Sequence, residues 1–543
     1  MLLVVSAAAQ TIDHGRINHS PSDDHAMADA NERLGAVSFP VSCAPASQGP
    51  FNRGIALLHD FWYEEARAQF TRLVASDSAC AMAHWGLAMS GFHQIWDRPD
   101  ADGMKLGWAE MQKAQAHPAG TGRERAYISA LADFYRPGAT QYPERIAKYS
   151  AAMRRLFDEH PEDVDAGAFY ALSLLAAEAT DDTSLSQQRK AMAVLKPLFM
   201  KYRDNPGVVH YIIHACDNPE MAADGLAAAN HYGEIAQSGA HAFHMPGHIY
   251  ARLGMWTADV TAQLGSIAAS EMAEARGESG LMDELHSYDF LLYACLQSGR
   301  DLCAGSALKQ VETPLEKIAS MPGMGASFMV GMVPYYRKKL PAFYALERRD
   351  WKSAAALEQE SGAPPESSDV VYWARVIGHG RLRQAKEAQE DMARYDELVA
   401  EIKKGPRGYL ADGTFPKIER HEMLAWVAFA RGDEAEALKS MRAAADLQDK
   451  VGQAEVDIPA REMLADMLLE FQKPQQAMAE YEAALKLSPN RLNGLFNAGR
   501  AAELAGDTTR AKRYYATLLK STHNGEDSGR SEMAHARSFL NAQ

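Results

Sequence analysis

Along most of this chain apolar residues return every three or four positions, and no stretch alternates β-branched and polar residues in the manner of a strand. The pattern predicts helices almost throughout, and they come in pairs. The clearest copies lie near the C-terminus, where Ala465, Ala477, Tyr481 and Ala484 recur 34 positions later as Gly499, Ala511, Tyr515 and Leu518. Ala425, Ala437, Met441 and Ala444 form an earlier copy. Two helices approach closely only where a side chain is nearly absent, and an aromatic one turn beyond fills the space toward the next pair. Gly54, Ala66 and Phe70 repeat that spacing near the N-terminus, and Gly86 stands 32 positions after Gly54. Leu253–Trp256, Gln297–Arg300 and Glu347–Trp351 read as turns inside later pairs, while Pro322–Pro334 and Gly405–Thr414 read as loops between pairs.

The period and the order of small and aromatic residues are those of the tetratricopeptide repeat. The expected fold is all-α, a tetratricopeptide-repeat superhelical solenoid whose first helices line a concave face. The expected organisation is a signal remnant and poorly ordered lead-in over 1–48, a histidine-bearing solenoid over 49–415 and regular repeats over 416–543.

The histidines of the middle segment give this frame its chemistry. His210 and His214 lie in an apolar helical run with Asp217 three further on; His241, His244 and His248 follow, then His286 and Asp289. A spacing of three or four puts two residues on one helical face. These pairs fall on what read as consecutive first helices, so their side chains are expected to converge. Such a set is a ligand inventory for a divalent transition metal, zinc, iron or copper. Pro246 is expected to open its helix, leaving His241 outside and His248 in the first turn, where the helix dipole favours a neutral imidazole. The alternative is structural: histidines also bridge adjacent helices, and the segment from His210 to His214, with Ile212 and Ile213 between them, lacks the glutamate of an HExxH metalloprotease. His59 and His93, with Trp62, Trp85 and Trp96 close in sequence, are candidates to extend the groove. Met321, Met324, Met329 and Met332 read as flexible filler before a soft copper site.

Composition narrows the classes. A 47% hydrophobic content supports a core, and a formal charge of −15 argues against nucleic acid as partner. Arg337-Lys338-Lys339, the nearest thing to a basic run, reads as a solvated helix face. Five cysteines without CxxC make no disulfide framework; a Cys43–Cys80 bridge is open, as is a free buried thiol at each. No nucleotide-binding fingerprint and no GxSxG is present, and no segment reaches the about 18 apolar residues of a membrane span. The opening MLLVVSAAAQ reads as the end of an export signal, which places the protein in the periplasm or outside the cell.

The strings LLHDFWYEEA, AHWGLAM, NPGVVHYIIHACDNPEMA, HAFHMPGHIYARLGMW and ELHSYDFLLYACLQSGR resemble a group of exported bacterial tetratricopeptide-repeat proteins, and more distantly animal tetratricopeptide repeat protein 38. The resemblance covers most of residues 50–360. It implies that His59, His93, His210, His214, His241, His244, His248, His286 and Asp289 are the characteristic polar positions. It supplies no reaction. Cys216 departs from the group, where a larger residue is usual, and is expected to widen the pocket or offer a thiolate. Three functional readings follow: the first is a binding solenoid that holds a peptide, protein or small molecule in its groove, with a divalent metal or small ligand at the histidines, and the second a metal-dependent hydrolase or oxidoreductase there. A plain protein-interaction scaffold is the third.

Overall fold

The computed structural model describes residues 32–543 except 96–97, 118–119, 139, 179–181, 321–327, 360–362, 406–410, 412, 453–455, 524–528 and 543; for 328–332 and 366 it describes the backbone alone. Every regular element among the described residues is helical. The first pairs are α1 (Gln48–His59) with α2 (Tyr63–Ser76), α3 (Ala81–Met89) with α4 (Ala101–Ala116), and α5 (Gly122–Tyr135) with α6 (Tyr142–Glu159). Next come α7 (Val164–Ala176) with α8 (Ser186–Lys201), α9 (Pro206–Cys216) with α10 (Ala222–Ile235), and α11 (Ala240–Arg252) with α12 (Trp256–Ala275). Then α13 (Leu281–Gln297) precedes α14 (Asp301–Gln310) and α15 (Glu312–Ser320), and α16 (Phe328–Glu347) precedes the short α17 (Trp351–Ala355). The last pairs are α18 (Pro365–Arg381) with α19 (Ala385–Ile402), α20 (Thr414–Arg431) with α21 (Glu434–Val451), α22 (Ala460–Glu470) with α23 (Pro474–Leu487), and α24 (Leu492–Leu504) with α25 (Thr508–Ser521). A final helix, α26 (Ser531–Asn541), covers the end of the array.

The small-residue positions do what the repeat requires. A Cβ on Gly54 or Gly86 would stand 2.6 or 2.3 Å from the Phe70 ring, and one on Gly499 2.4 Å from Tyr515. Gly254 and Gly299 take left-handed φ values of 63° and 72° in the turns expected there, a conformation glycine adopts without a Cβ penalty. Side-chain caps start several helices: Thr121 and Glu124 form a capping box on α5, and Asp163, Asn205 and Asp433 cap α7, α9 and α21.

Several expectations change. Residues 328–334, read as loop, continue as α16, which carries Pro334 and Pro341 in its interior; tertiary packing overrides the helix-breaking tendency of proline here. Residues 321–327, the side chains of the methionine group at 321–332, and most of 405–414 lie outside the described residues, as do the signal-like start and Trp96. From Arg33 the lead-in is packed: Phe39 is fully buried against Phe51, Trp85 and Tyr127. Lys339, expected on a solvated face, keeps only 12% of its side chain exposed and pairs with Asp289. Cys43 bonds Cys80, and Cys295 bonds Cys303, a second bridge that the sequence did not single out.

The repeats are tied together across long sequence distances, and residues 33–543 form one compact unit. The Trp62 indole donates to Ser279, and the Trp256 indole donates to the carbonyl of Asn490 at 2.8 Å. Arg491, fully buried, pairs with Glu347 and Glu462 at 2.7 and 2.9 Å. No helix of the described residues is long and apolar enough to cross a membrane.

Candidate metal centre

Three successive inner helices carry the histidines: α9 holds His210 and His214, α11 holds His241, His244 and His248, and α13 holds His286. Their rings form a continuous run. Centroids stand 4.6 Å apart for His210 and His214, 5.0 Å for His210 and His241, and 5.9 Å for His241 and His244. The run continues at 4.8 Å from His244 to His248 and 4.4 Å from His244 to His286. Within it are two groups whose donor atoms lie within 4.8 Å of one another: His210, His214 and His241, and His244, His248 and His286. The convergence expected from sequence is present, in two sets.

The helix start expected at Pro246 is not. Helix α11 begins at Ala240, so His241 is its second residue and Pro246 is interior. The helix gives up the bond that a residue other than proline would donate to the carbonyl of Ala242. Gly247 shows what this segment is pressed against: a Cβ there would stand 2.0 Å from Gln263 Nε2 and 2.6 Å from Asp259 Oδ1 of α12. The setting of His248 is therefore Asp217, not a helix N-terminus.

The ring nitrogens show a consistent direction. Nδ1 of His210 lies 2.6 Å from the carbonyl oxygen of His59, an atom that only accepts, so this nitrogen carries the proton. Nδ1 of His248 donates to Asp217 at 2.8 Å, and Arg252 pairs with the other oxygen of that carboxylate at 2.9 Å. Nδ1 of His244 meets Gln263 Oε1 at 2.7 Å, and the Gln263 amide nitrogen donates to Asp259 at 2.8 Å. Nδ1 of His241 is 3.3 Å from Asp283, whose carboxyl burial pushes up to about 7. With Nδ1 protonated, Nε2 holds the lone pair that binds metal. The Nε2 atoms of His244 and His248 face each other at 2.9 Å, and His210 Nε2 is buried with no hydrogen-bond partner.

Burial, then the neighbouring imidazoles, holds His210 and His244 well below the usual histidine range and lowers His241 to about 3. These three rings are neutral near pH 7, the form a metal needs. Phenylalanines cover both sets. Phe61, at a left-handed φ of 57°, lies with its ring 4.4, 5.4 and 5.7 Å from His210, His214 and His241. Phe290 lies 4.8 Å from both His244 and His248 and 5.4 Å from His286.

The other candidates sit elsewhere. Asp289 is engaged by Lys339 of α16, outside both histidine sets, while Tyr336 reaches His286 at 3.4 Å. His59 spends both nitrogens on the protein, on Tyr211 at 2.9 Å and Asp165 at 3.0 Å, and stacks on Phe169. His93 stacks on Tyr63 at 4.2 Å and reaches the carbonyl of Ser90. Cys216 does not offer a thiolate: burial pushes its thiol up to about 12, and a Cβ on Gly225 of α10 would stand 2.7 Å from the Cys216 Cβ. Phe61, Gln263, Asp283 and Phe290 escaped sequence reasoning. Phe61 and Gln263 sit at no helical spacing from a histidine that marks them as partners, whereas Asp283, three before His286, and Phe290, four beyond it, do.

These features define a helical-repeat protein of the tetratricopeptide type with a largely buried cluster of six histidines. Among solved structures the chain is similar to yeast Tom70, at 13% identity and a TM-score of 0.33, over 85% of this chain and 95% of that one. It is also similar to the tetratricopeptide domain of P58(IPK), at 13% identity and a TM-score of 0.21, over 78% of this chain and 99% of that one. No family model and no curated protein sequence matches it. The fold assignment rests on the chain's own helix pairs.

Proposed function

We propose that this protein is a tetratricopeptide-type binding protein whose histidine pocket holds a first-row transition metal, with zinc, iron and copper the metals that imidazole suits. One observation carries the reading: His210, His244 and His248 turn Nδ1–H outward to oxygen acceptors and Nε2 inward. Acceptors behind metal-bound histidines fix tautomer and orientation in this way. Histidines that only bridge helices spend both nitrogens on the protein, as His59 does. Elemental analysis of protein purified without a histidine tag tests it. At least one equivalent of a transition metal is expected after reconstitution, and less than about a tenth of an equivalent of every metal tried overturns the reading, because such ligands bind tightly.

We also read the chain as an exported member of the bacterial group it resembles, with a peptide, protein or small molecule as partner. The pairings Cys43–Cys80 and Cys295–Cys303 favour an oxidising compartment. A metal-dependent enzyme is the second reading, favoured by the count of three protein donors in each histidine set: catalytic sites keep a coordination position open, where structural zinc sites fill all four.

A further inference from the structure

The two histidine sets are built the same way, one repeat apart. His244 and His248 stand 34 positions after His210 and His214, the repeat period itself. Each i, i+4 pair on one inner helix is completed by a histidine of the next inner helix: His241 of α11 joins the α9 pair, and His286 of α13 joins the α11 pair. Each set has its own phenylalanine cover, Phe61 for the first and Phe290 for the second. Duplication of the pair with the repeat accounts for six rings where one metal needs three or four.

We infer that the pocket is a two-metal centre, with one ion held by His210, His214 and His241 and a second by His244, His248 and His286. The inference rests on the metal reading above and adds stoichiometry and division of ligands. One ion does not serve all six rings, which extend as a run with 5.9 Å between the centroids of His241 and His244, the rings that join the sets; metal–nitrogen bonds are about 2.0–2.1 Å.

The donor set suits copper, as it does zinc and iron, and copper serves as the probe. Each set of three is imidazole alone, with the carboxylates of Asp217 and Asp283 behind the rings. Three protein donors per ion leave further positions open. Because the protein ligands are neutral, a bound anion such as hydroxide, or copper in its monovalent state, relieves the charge of two adjacent buried ions.

The test is copper stoichiometry on the full chain without a histidine tag, loaded with Cu(II) and freed of loose metal. Wild type is expected to retain two copper ions per chain. His214→Ala and His286→Ala are each expected to retain one, and the double variant none. Circular dichroism and melting confirm that each variant is folded, with His214→Gln and His286→Gln as replacements where alanine disturbs packing. One copper per chain in the wild type, lost from both single variants, overturns the two-metal assignment and leaves the metal reading standing. Two copper ions retained in every variant overturn the ligand assignment. No copper, zinc or iron in the wild type overturns both.

Discussion

At the scale of single residues, the acceptors behind the imidazoles decide what the pocket can bind. Gln263 stands between Asp259 and His244, and the direction of its amide sets the proton on His244. With oxygen toward the ring, the proton sits on Nδ1 of His244, and its Nε2 faces His248 Nε2 at 2.9 Å. Burial pushes Asp259 up to about 8; protonated, it can receive the amide the other way round, which puts the His244 proton on Nε2 and closes a hydrogen bond to His248. Gln263→Ala and Asp217→Asn are therefore expected to weaken metal binding about 10- to 100-fold with little change in helix content; competition with a chelator of known affinity measures this, and unchanged affinity counts against the role assigned to these residues. Phe61 is a second case. Its left-handed backbone costs of order 1–2 kcal/mol, which Phe61→Gly relieves, but the ring that covers three imidazoles is then lost. Since removing a buried phenylalanine side chain costs about 3–5 kcal/mol, a net loss of about 2–3 kcal/mol is expected in denaturant unfolding. A gain in stability would show that the ring is not packed as described.

At the scale of elements, glycine marks where helices meet, and two glycines separate packing from chemistry. Gly499 meets the Tyr515 ring in a C-terminal pair far from the histidines in sequence, and Gly247 meets Gln263 and Asp259 beside them. Alanine at either site overpacks a tight contact, at a cost of about 1–3 kcal/mol. Gly499→Ala is expected to lower the melting temperature and leave metal content unchanged. Gly247→Ala is expected to lower both, because the side chain it displaces is the one that orients His244. Equal metal content in the two variants would disconnect α12 from the site.

At the scale of the whole molecule, buried ion pairs tie distant repeats together. Arg491 of the α23–α24 turn reaches Glu347 at the end of α16, and Asp466 of α22 accepts from Arg349 and Arg381. Burial alone would raise the Asp466 carboxyl; the two arginines outweigh it and hold it at about 2. Its folded value thus lies below the unfolded value near 3.9, and by linkage this group contributes about 2–3 kcal/mol that is fully present above pH 4 and is lost as pH falls through 2. Asp466→Asn leaves two arginines facing a neutral group and is expected to cost about 3–5 kcal/mol at pH 7, an effect that shrinks toward pH 2. Unfolding measured from pH 7 to pH 2 checks the sign: a deficit that grows with acid contradicts it.

The helical class, the paired repeats and the gathering of histidines on three inner helices were legible in the sequence, because periods of 3.6 and 34 residues are local properties of the chain. Asp217, three beyond His214, was legible for the same reason. What only the tertiary structure decided depends on contacts between residues far apart in sequence. Asp289 shares a helical face with His286, yet Lys339, fifty residues on, claims it. His59 reads as one more ligand until Tyr211 and Asp165 take both its nitrogens. Pro246 reads as a helix start, but the packing of α11 on α12 carries the helix through it. Spacing places a side chain on a face; which partner stands opposite, and so which nitrogen keeps its lone pair, is settled only when the repeats stack.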